Sequence, residues 1–366
     1  MWPYLCSFSI SCGFSFLAEK SLEKRNRKLF LVFSFFSIFV VTLLAGMRSS
    51  EVGTDVLTYG NYVFRFACSS SLKGLFGKYG SIMEPFYLVL NFVVSCIYKD
   101  VHFFYFIFQF IIMIFIYAAL FDNRKFSSLT LGLFIYYTLF YSFALNGMRQ
   151  SMAMAIVLYA TKYIYKADFK RYFIWVIIAT GFHYTALLFL LFYFIYLLLD
   201  KLDSTIGKII ILTGMIVVAL AYSGLIKMIS AVFGKYERYI ITSGTYSLSL
   251  NPLVIRLPIL ILYIVLNKEY KKDNKQFDFW MVMLLGDVIF SQMRGLMAAL
   301  YRISLYFGIV KIQAYPYITK VFDNKSRYIV KILLVLYLLI VWYYQVVIQG
   351  NDGVYPYISD VFVSIN

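Results

Sequence analysis

The chain consists of long apolar runs that are separated by short polar connections. Each run is about 15 to 20 residues long, close to the roughly 20 residues that carry a helix across the hydrocarbon core of a bilayer. Helices are expected at that depth because they satisfy their backbone polar groups internally. The pattern therefore predicts an all-α, polytopic membrane bundle of ten to thirteen spans. The apolar runs lie at residues 1–18, 29–46, 83–98, 102–120, 128–145, 149–165, 172–199, 207–224, 252–267, 277–293, 300–318 and 329–347.

The overall composition favours a membrane protein and excludes a soluble one. Hydrophobic residues make up 62% of the 366 residues and charged residues only 14%, whereas soluble domains contain about 25% charged residues. We identify no internal repeat, no low-complexity linker and no segment typical of a soluble domain. We therefore expect a single transmembrane domain over residues 1–366.

Basic residues in the short connections predict the orientation of the chain. Segment 1–18 has no positive residue before it and no small-residue cleavage site, so we interpret it as a retained first helix and not as a signal peptide. Because Lys and Arg accumulate in cytoplasmic loops, the basic cluster after this helix marks the cytoplasmic side. The resulting cytoplasmic connections contain 21 of the 34 basic residues, which explains most of the net charge of +16 without nucleic acid. They are residues 19–28, 121–127, 162–171, 200–208, 267–276 and 319–331.

This orientation predicts outer loops at about 47–82 and 224–251. It leaves open how two segments, 47–101 and 172–199, cross the membrane. Segment 47–101 must cross the membrane an even number of times. Either the run 83–98 is a re-entrant or interfacial helix, or Lys99 is cytoplasmic. The segment 172–199 must cross twice in a short length, which predicts two short helices broken at Gly181-Phe182-His183.

Arginine is enriched over lysine on the outward side. The outer loops and outer span ends contain seven Arg and five Lys, whereas the inner connections contain five Arg and 16 Lys. Lysine suffices as an orientation signal, but a planar guanidinium can bind phosphate oxygens in pairs. A single arginine near a span end has another interpretation, because it can snorkel to the lipid headgroups. Five arginines at the outer ends of different spans nevertheless predict an anion-binding site: Arg48, Arg149, Arg256, Arg294 and Arg302.

Polar residues near two of these ends have a functional and an ordinary interpretation. Arg48, Asp55 and Tyr59 in the first outer loop are candidates for the entrance of a site, and the alternative is a polar loop with a turn at Gly53. Glu84 precedes an apolar helix, where it either takes part in a site or only caps the helix.

A carboxylate inside a predicted span also needs an explanation. Asp287 is the only acid placed well within an apolar run, and buried acids of this kind usually have a partner or a task. We expect an ion pair with Arg294, two helical turns along the chain. A role in proton relay is the alternative.

The sequence contains no pattern typical of a metal site or a disulfide framework. The four cysteines have neither CxxC spacing nor Cys/His spacing, and thiols in or beside spans are usually buried apolar residues. We also find no DxD pair and no His/Asp/Glu cluster with the spacing of metal ligands. The sequence therefore predicts no structural zinc, no cofactor and a metal-independent activity.

Four short motifs follow one another along the chain. They are Arg48-x-x-x-Val52-Gly53-x-Asp55-x-x-x-Tyr59, Glu84-Pro85, Arg149-Gln150-x-x-Ala153 and Ala179-x-x-Phe182-His183-Tyr184-x-Ala186. Their order and spacing resemble the EpsG family, which is related to the Wzy-type polymerases of bacterial O-antigens, capsules and exopolysaccharides. The resemblance covers roughly residues 40–200 and returns weakly at Arg302-x-x-x-Tyr306-Phe307.

The resemblance implies a membrane glycosyltransferase with a fold similar to that of enzymes that use polyprenyl-phosphosugars (GT-C-like). Such a polymerase would move a growing glycan from undecaprenyl diphosphate to the non-reducing end of a lipid-linked repeat unit, at the outer face of the bacterial cytoplasmic membrane. The implied partners are this undecaprenyl-diphosphate-linked oligosaccharide, as donor and acceptor, the membrane lipid, and a flippase and a chain-length regulator of the same pathway. Nucleic acid is not an expected partner.

The implied chemistry gives the candidate residues their roles. A diphosphate leaving group gathers negative charge as it departs, and the five span-end arginines are suited to stabilise it. The attacking sugar hydroxyl needs a base, for which His183 is the best candidate because an imidazole is both neutral and basic near physiological pH. Capping of a broken helix is the alternative role of His183. Asp55 and Glu84 are the next candidates for catalysis, and Tyr59 and Gln150 are candidates for substrate binding.

Two other functions remain open at this point. A flippase or exporter of lipid-linked oligosaccharide would also carry cavity arginines, but it would need alternating access and usually two related halves. Arginines collected on one face and the lack of half-to-half similarity favour a fixed, one-sided site. An O-antigen-ligase-like transferase or an acyltransferase would follow similar logic with a different acceptor.

Overall fold

The computed structural model describes residues 1–202, 205–217, 250–272, 274–292 and 298–363. These residues form helices and loops, and none of them is in a β-strand, so the described part of the chain is an all-helical protein. It divides into two compact units. The first unit comprises Met1–Leu190 and Asn324–Asn366, and the second comprises Leu191–Asp323.

The first unit is built from long apolar helices and from shorter helices within the connections. The helices are α1 (Trp2–Glu23), α2 (Arg27–Met47), α3 (Tyr62–Ala67), α4 (Leu72–Tyr79), α5 (Pro85–Ile97), α6 (Val101–Asp122), α7 (Leu129–Leu139), α8 (Tyr141–Asn146), α9 (Met148–Ile164) and α10 (Phe169–Thr180). A π-helical turn at Val56–Asn61 precedes α3, and a 3₁₀ helix at Tyr184–Phe189 follows α10.

The second unit follows from α11 (Leu190–Lys201), and the chain then returns to the first unit. The helices after α11 are α12 (Thr205–Val217), α13 (Leu250–Val265), α14 (Asn267–Lys272), α15 (Phe277–Gln292), α16 (Ala298–Gly308) and α17 (Lys311–Tyr317). The returning segment forms α18 (Asn324–Tyr343), a π-helical turn at Tyr344–Ile348, a 3₁₀ turn at Asn351–Gly353 and α19 (Asp360–Val363).

Helix lengths bear on the predicted number of spans. Among the described residues, four helical segments are long and apolar enough to cross a membrane: Arg27–Met47, Val101–Asp122, Tyr184–Lys201 and Asn324–Ile348. Shorter apolar helices occur as well, such as Pro85–Ile97 and Leu129–Leu139. The total of ten to thirteen spans stays a prediction, because several continuous apolar runs are divided. The run 128–145, for example, breaks at Phe140, where the backbone leaves the helical region.

Segment 47–101 begins and ends at the same end of the bundle. Nδ1 of His102, in the first turn of α6, lies 3.0 Å from the carbonyl oxygen of Gly46, in the last turn of α2. Between these two points α5 is only 13 residues long, about 20 Å at 1.5 Å per residue. This geometry favours the interpretation of 83–98 as a re-entrant or interfacial helix over a cytoplasmic Lys99.

The break expected in segment 172–199 is present at the predicted residues. Helix α10 ends at Thr180 and the 3₁₀ helix begins at Tyr184. His183 between them has an extended backbone with φ −156° and ψ 118°. The hydroxyl of Tyr172 donates to the carbonyl oxygen of Phe189 at 2.7 Å, which ties the returning segment to α10.

The C-terminal segment packs against the end of α2 and the loop that follows it. The backbone N–H of Gly53 donates to the carbonyl of Gly353, and that of Ser49 donates to the carbonyl of Ile358, both at 2.9 Å. Gly53 has φ +106° and lies so close to Asn146 that an added Cβ would come within 3.2 Å of its Cα. Glycine is therefore required at this turn.

Candidate active site

The carboxylate of Glu84 joins two residues that lie far from it in the sequence. Its Oε2 atom accepts a hydrogen bond from Nη1 of Arg149 at 2.5 Å, and its Oε1 atom lies 2.9 Å from Nδ1 of His183. The backbone N–H of Tyr184 also donates to Oε1, at 3.4 Å. Three of the motifs found in the sequence therefore meet at one carboxylate.

The local backbone explains why Glu84 reaches these partners. Pro85 is the first residue of α5 and restricts Glu84 to an extended conformation, observed at φ −72° and ψ 145°. Glu84 occupies the N-cap position, but its side chain makes no capping hydrogen bond. The sequence interpretation of Glu84 as only a helix cap is therefore wrong, because its carboxylate is directed to Arg149 and His183.

A backbone contact holds the start of α5 against the broken helix. The N–H of Phe86 donates to the carbonyl of Gly181 at 2.8 Å. A Cβ on Gly181 would lie 2.3 Å from the ring of Phe86, so a larger residue would separate the two segments. The phenyl rings of Phe86 and Phe182 also meet edge to face, with centroids 6.0 Å apart. This packing sets the distance between Glu84 and His183.

Arg149 lies in the first turn of α9 and over two aromatic rings. Its guanidinium carbon is 5.0 Å from the ring centroid of Tyr59 and 5.7 Å from that of Tyr87. The hydroxyl of Tyr87 donates to the backbone carbonyl of Tyr59 at 2.5 Å, which fixes the first ring relative to the second. A cation in the first turn opposes the helix dipole, and the carboxylate of Glu84 compensates for it.

The three side chains differ in exposure. The side chain of Glu84 is 4% exposed, whereas those of Arg149 and His183 are 20% and 18% exposed. Burial raises the pKa of Glu84, but the hydrogen bond with His183 and the charge of Arg149 outweigh this effect and hold the pKa below its ordinary value. Glu84 is therefore ionised at neutral pH and accepts hydrogen bonds only.

The loop that carries Asp55 and Tyr59 is attached to the start of α9. The side-chain oxygen of Asn146 accepts hydrogen bonds from the backbone N–H of Asp55 at 2.8 Å and from the hydroxyl of Thr54 at 3.2 Å. Asp55 is half-buried, and Tyr59 follows in the π-helical turn. The structure thus brings Tyr59 to Arg149. Gln150, the next residue of α9, is buried.

Arg48 lies in a different environment from Arg149. Its residue exposure is 1%, its Nη2 donates to the sulfur of Met148 at 3.3 Å, and its guanidinium carbon is 4.6 Å from the ring centroid of Tyr105. Within the described part of the chain it has no carboxylate partner, and its Nε has no hydrogen-bond partner. Arg48 contacts the residue before Arg149 and is itself enclosed.

The second unit contains a separate buried ion cluster. Asp287 accepts hydrogen bonds from Nε of Arg256 at 2.6 Å and from its Nη2 at 3.1 Å, and Nζ of Lys311 lies 2.5 Å from the same carboxylate. Nη1 of Arg256 donates to the carbonyl of Pro252 at 3.0 Å. Asp287 is thus paired with Arg256 and Lys311, whereas its expected partner Arg294 lies outside the described residues, so that pair stays a prediction.

Two of the other predicted arginines, Arg256 and Arg302, lie in the second unit. Arg302 is exposed on α16 of the second unit. Arg294 and the predicted outer loop up to residue 249 lie outside the described residues. Arg256 is engaged by Asp287 as described above. A role of these three residues in diphosphate binding stays a prediction.

Sequence reasoning missed three residues that organise these sites. Tyr87 lies one turn after Glu84 on α5, and this spacing on one helix face is the signal that could have identified it. Asn146 lies three residues before the motif that begins at Arg149, and it has no charge that would have marked it. Lys311 carried a signal of its own, since a lysine within an apolar run needs a partner.

No group of three or more His, Cys, Asp and Glu side chains in the described segments has an arrangement that could hold a metal ion. The candidate site consists instead of one carboxylate, one guanidinium and one imidazole. Such a set can bind an anion and transfer a proton, and the metal independence of the activity stays a prediction.

Comparison with known proteins identifies one family. The model of the EpsG family matches residues 31–359, which is nearly the whole chain and includes Glu84, Arg149 and His183. No curated protein and no solved structure matches the chain.

Proposed function

Because the chain belongs to the EpsG family, which is associated with polysaccharide polymerase-like proteins, we propose that it is the polymerase of a bacterial surface polysaccharide. In this proposal it moves a growing glycan from undecaprenyl diphosphate to the non-reducing end of a lipid-linked repeat unit. The reaction takes place at the outer face of the cytoplasmic membrane. The observation that carries the proposal is the bridge from Glu84 to Arg149 and His183.

The bridge determines which nitrogen of His183 can act as a base. Since Glu84 is an acceptor only, the proton of a neutral imidazole resides on Nδ1 and is donated to Oε1. The lone pair of Nε2 then receives the proton of the acceptor hydroxyl as its oxygen attacks the anomeric carbon of the donor. Glu84 holds the tautomer and stabilises the imidazolium that forms, as the carboxylate does in other acid-base pairs with histidine.

Arg149 is suited to contact the diphosphate leaving group of the donor. As the bond between the anomeric carbon and the diphosphate oxygen breaks, the electron pair stays on that oxygen. A guanidinium has five N–H donors, and the contact with Glu84 engages only Nη1. The N-terminus of α9 adds a favourable environment for a phosphate, because backbone N–H groups and the helix dipole point toward it. Arg149 therefore stabilises the charge that develops on the leaving group.

The orientation of the bundle agrees with an outward-facing site. Arg149 and His183 lie at the ends of α9 and α10 that are distant from the basic turn between these helices, residues 162–171. Lys162 in the last turn of α9 pairs with Asp122 at the end of α6, at 2.8 Å. Since basic connections face the cytoplasm, this arrangement supports an outer location for the three residues.

Reconstitution tests the proposed function directly. Purified protein is placed in vesicles with the undecaprenyl-diphosphate-linked repeat unit, and the products are separated by length on gels, with and without a chelator. A ladder of increasing glycan length is expected in both conditions. Movement of the repeat unit across the bilayer without a new glycosidic bond would instead identify a flippase. A single transfer to another acceptor without a ladder would identify a ligase.

A further inference from the structure

A cavity of about 480 Å³ lies between α1, α7 and α18 in the first unit, away from the three residues of the candidate active site. One face of α1 lines it, through Cys12, Phe16, Glu19, Lys20 and Glu23. These positions recur every three to four residues, so they follow one side of the helix. From Cys12 to Glu23 the groove is about 16 Å long at 1.5 Å per residue.

The groove changes in chemistry along its length. Its inner part is lined by apolar side chains, among them Phe16, Leu131, Phe134 and Val335. Its other end is charged and lies at the turn between α1 and α2, next to the start of α7 and the first turns of α18. An elongated apolar groove with a charged end has the shape and polarity of a site for a lipid with a polar headgroup.

The two acids and two lysines that line this end differ in their partners, and Lys331 is the one available to an anion. The carboxylate of Glu19 is occupied by the start of α7, where it accepts from the N–H of Leu129 at 2.6 Å and the hydroxyl of Thr130 at 2.7 Å. Glu23 pairs with Lys20 at 2.8 Å. Lys331 also lines the groove and has no ion pair within the described part of the chain. Glu19 is thus held by neutral donors and Glu23 by Lys20, and Lys331 is the charged side chain of the lining that has no ion pair among the described residues.

The surrounding chain adds further positive charge. The turn after α1 and the start of α2 contain Lys24, Arg25, Arg27 and Lys28, all within eight residues of Lys20. Basic residues beside a membrane helix attract anionic lipid headgroups, with roughly 1 kcal/mol for each Lys or Arg near the surface. The same basic residues assign this end of the bundle to the cytoplasmic side.

We propose that this groove binds an anionic phospholipid of the cytoplasmic leaflet. The lipid phosphate lies at Lys331, and one acyl chain lies along Phe16, Phe134 and Val335. The bound lipid fills the space between α1, α7 and α18 and so stabilises the first unit. The site is independent of the polymerase reaction, since no residue of the groove belongs to the Glu84, Arg149 and His183 cluster.

Native mass spectrometry of the purified full-length protein tests the proposal. The protein is titrated in detergent with phosphatidylglycerol or phosphatidylcholine of the same chain length. Wild-type protein is expected to retain one phosphatidylglycerol in preference to phosphatidylcholine. Lys331→Gln is expected to weaken this retention about fivefold, which corresponds to the loss of one basic contact. Val335→Phe fills the groove and is expected to abolish retention, with Cys12→Leu as a second filling variant if the first fails to fold.

Lys325→Gln is the matched control, because it removes a lysine from the same helix outside the groove. Equal retention of the two lipids would overturn the proposal. So would an equal effect of Lys325→Gln and Lys331→Gln, which would indicate general charge attraction. Retention that persists in both filling variants would place the lipid elsewhere. Displacement of phosphatidylglycerol by an equal concentration of undecaprenyl phosphate would assign the groove to the carrier lipid and refute the phospholipid assignment.

Discussion

Oε1 of Glu84 lies 2.9 Å from Nδ1 of His183, although the two residues are 99 positions apart in the chain. The contact depends on a proline that sets the backbone of Glu84 and on a glycine at position 181 that lets α5 approach the broken helix. This contact therefore brings residues of two separate sequence motifs together as an acid-base pair. The contact of Arg149 with the second oxygen of the carboxylate extends the pair to an anion-binding group.

Replacement of His183 by alanine tests the base. We expect elongation to fall by about 10²- to 10⁴-fold, the usual contribution of general base catalysis, while binding of the lipid-linked repeat unit is retained. The measurement is glycan chain length on gels together with binding of the labelled repeat unit. His102→Ala serves as the matched control, since His102 contacts the carbonyl of Gly46 and not the candidate site. Normal elongation by His183→Ala would show that the base lies elsewhere.

The ionisation of Glu84 predicts a dependence of stability on pH. Because its pKa in the folded protein is lowered, the unfolded chain takes up the proton first as the pH falls. The stabilisation from Glu84 is thus complete above the ordinary carboxyl range and is lost as the pH drops through that range toward the lowered value. We expect the melting temperature of the wild type to decrease over this interval more than that of Glu84→Gln.

Thermal unfolding of both proteins between pH 7 and pH 3 is the measurement. Other carboxylates titrate in the same interval, so the informative quantity is the difference between the two melting curves. This difference should be largest at neutral pH and shrink on acidification. Parallel curves for the wild type and Glu84→Gln would contradict the lowered pKa of Glu84.

The sequence predicted the type of fold and named Glu84, Arg149 and His183 as candidates, but it did not predict the contacts among them. The apolar runs identified an all-helical membrane protein, and the break at Gly181 was located correctly because glycine and histidine interrupt an apolar run. The roles of individual residues are harder to predict from the sequence. Glu84 was ranked as an alternative base, since its contacts with Arg149 and His183 depend on tertiary packing that no local spacing reveals. Likewise, nothing local indicated that Arg256 and Lys311 share Asp287.

Arg149→Lys tests whether the leaving group requires the planar guanidinium or only a positive charge. Lysine keeps the positive charge but lacks the planar fork that binds phosphate oxygens in pairs. We expect the rate of elongation to fall by about 10²-fold, which is typical for the loss of one preorganised donor to a developing anion. Inhibition by inorganic diphosphate should weaken in parallel. The exposed Arg171 on α10 provides a control as Arg171→Lys, and equal rates for the two variants would exclude the phosphate role of Arg149.

Arg48 is expected to behave as a positioning residue and not as a phosphate contact. It is enclosed by aromatic rings and touches Met148, which precedes Arg149. Arg48→Lys should reduce the free energy of unfolding by about 1 to 3 kcal/mol, the usual range for disturbance of a buried contact, and should lower kcat. The inhibition constant of inorganic diphosphate should stay at the wild-type value. A weakening of this inhibition as large as that in Arg149→Lys would instead place Arg48 at the diphosphate.

The two cations of the buried cluster in the second unit differ in their hydrogen bonds, and we expect them to differ in their contribution to stability. Arg256 donates two hydrogen bonds to Asp287 and one to Pro252, whereas Lys311 has only the carboxylate as a partner among the described residues. Lys311→Met leaves a balanced pair of one cation and one anion, so we expect a change in the free energy of unfolding below about 1.5 kcal/mol. Asp287→Leu leaves two buried cations without their partner and should cost about 3 to 5 kcal/mol. Denaturant or thermal unfolding in detergent measures both, and the double variant Asp287→Leu with Lys311→Met should recover part of the loss. If Lys311→Met were as destabilising as Asp287→Leu, the lysine would be an essential part of the cluster and the expected difference between the two cations would be wrong.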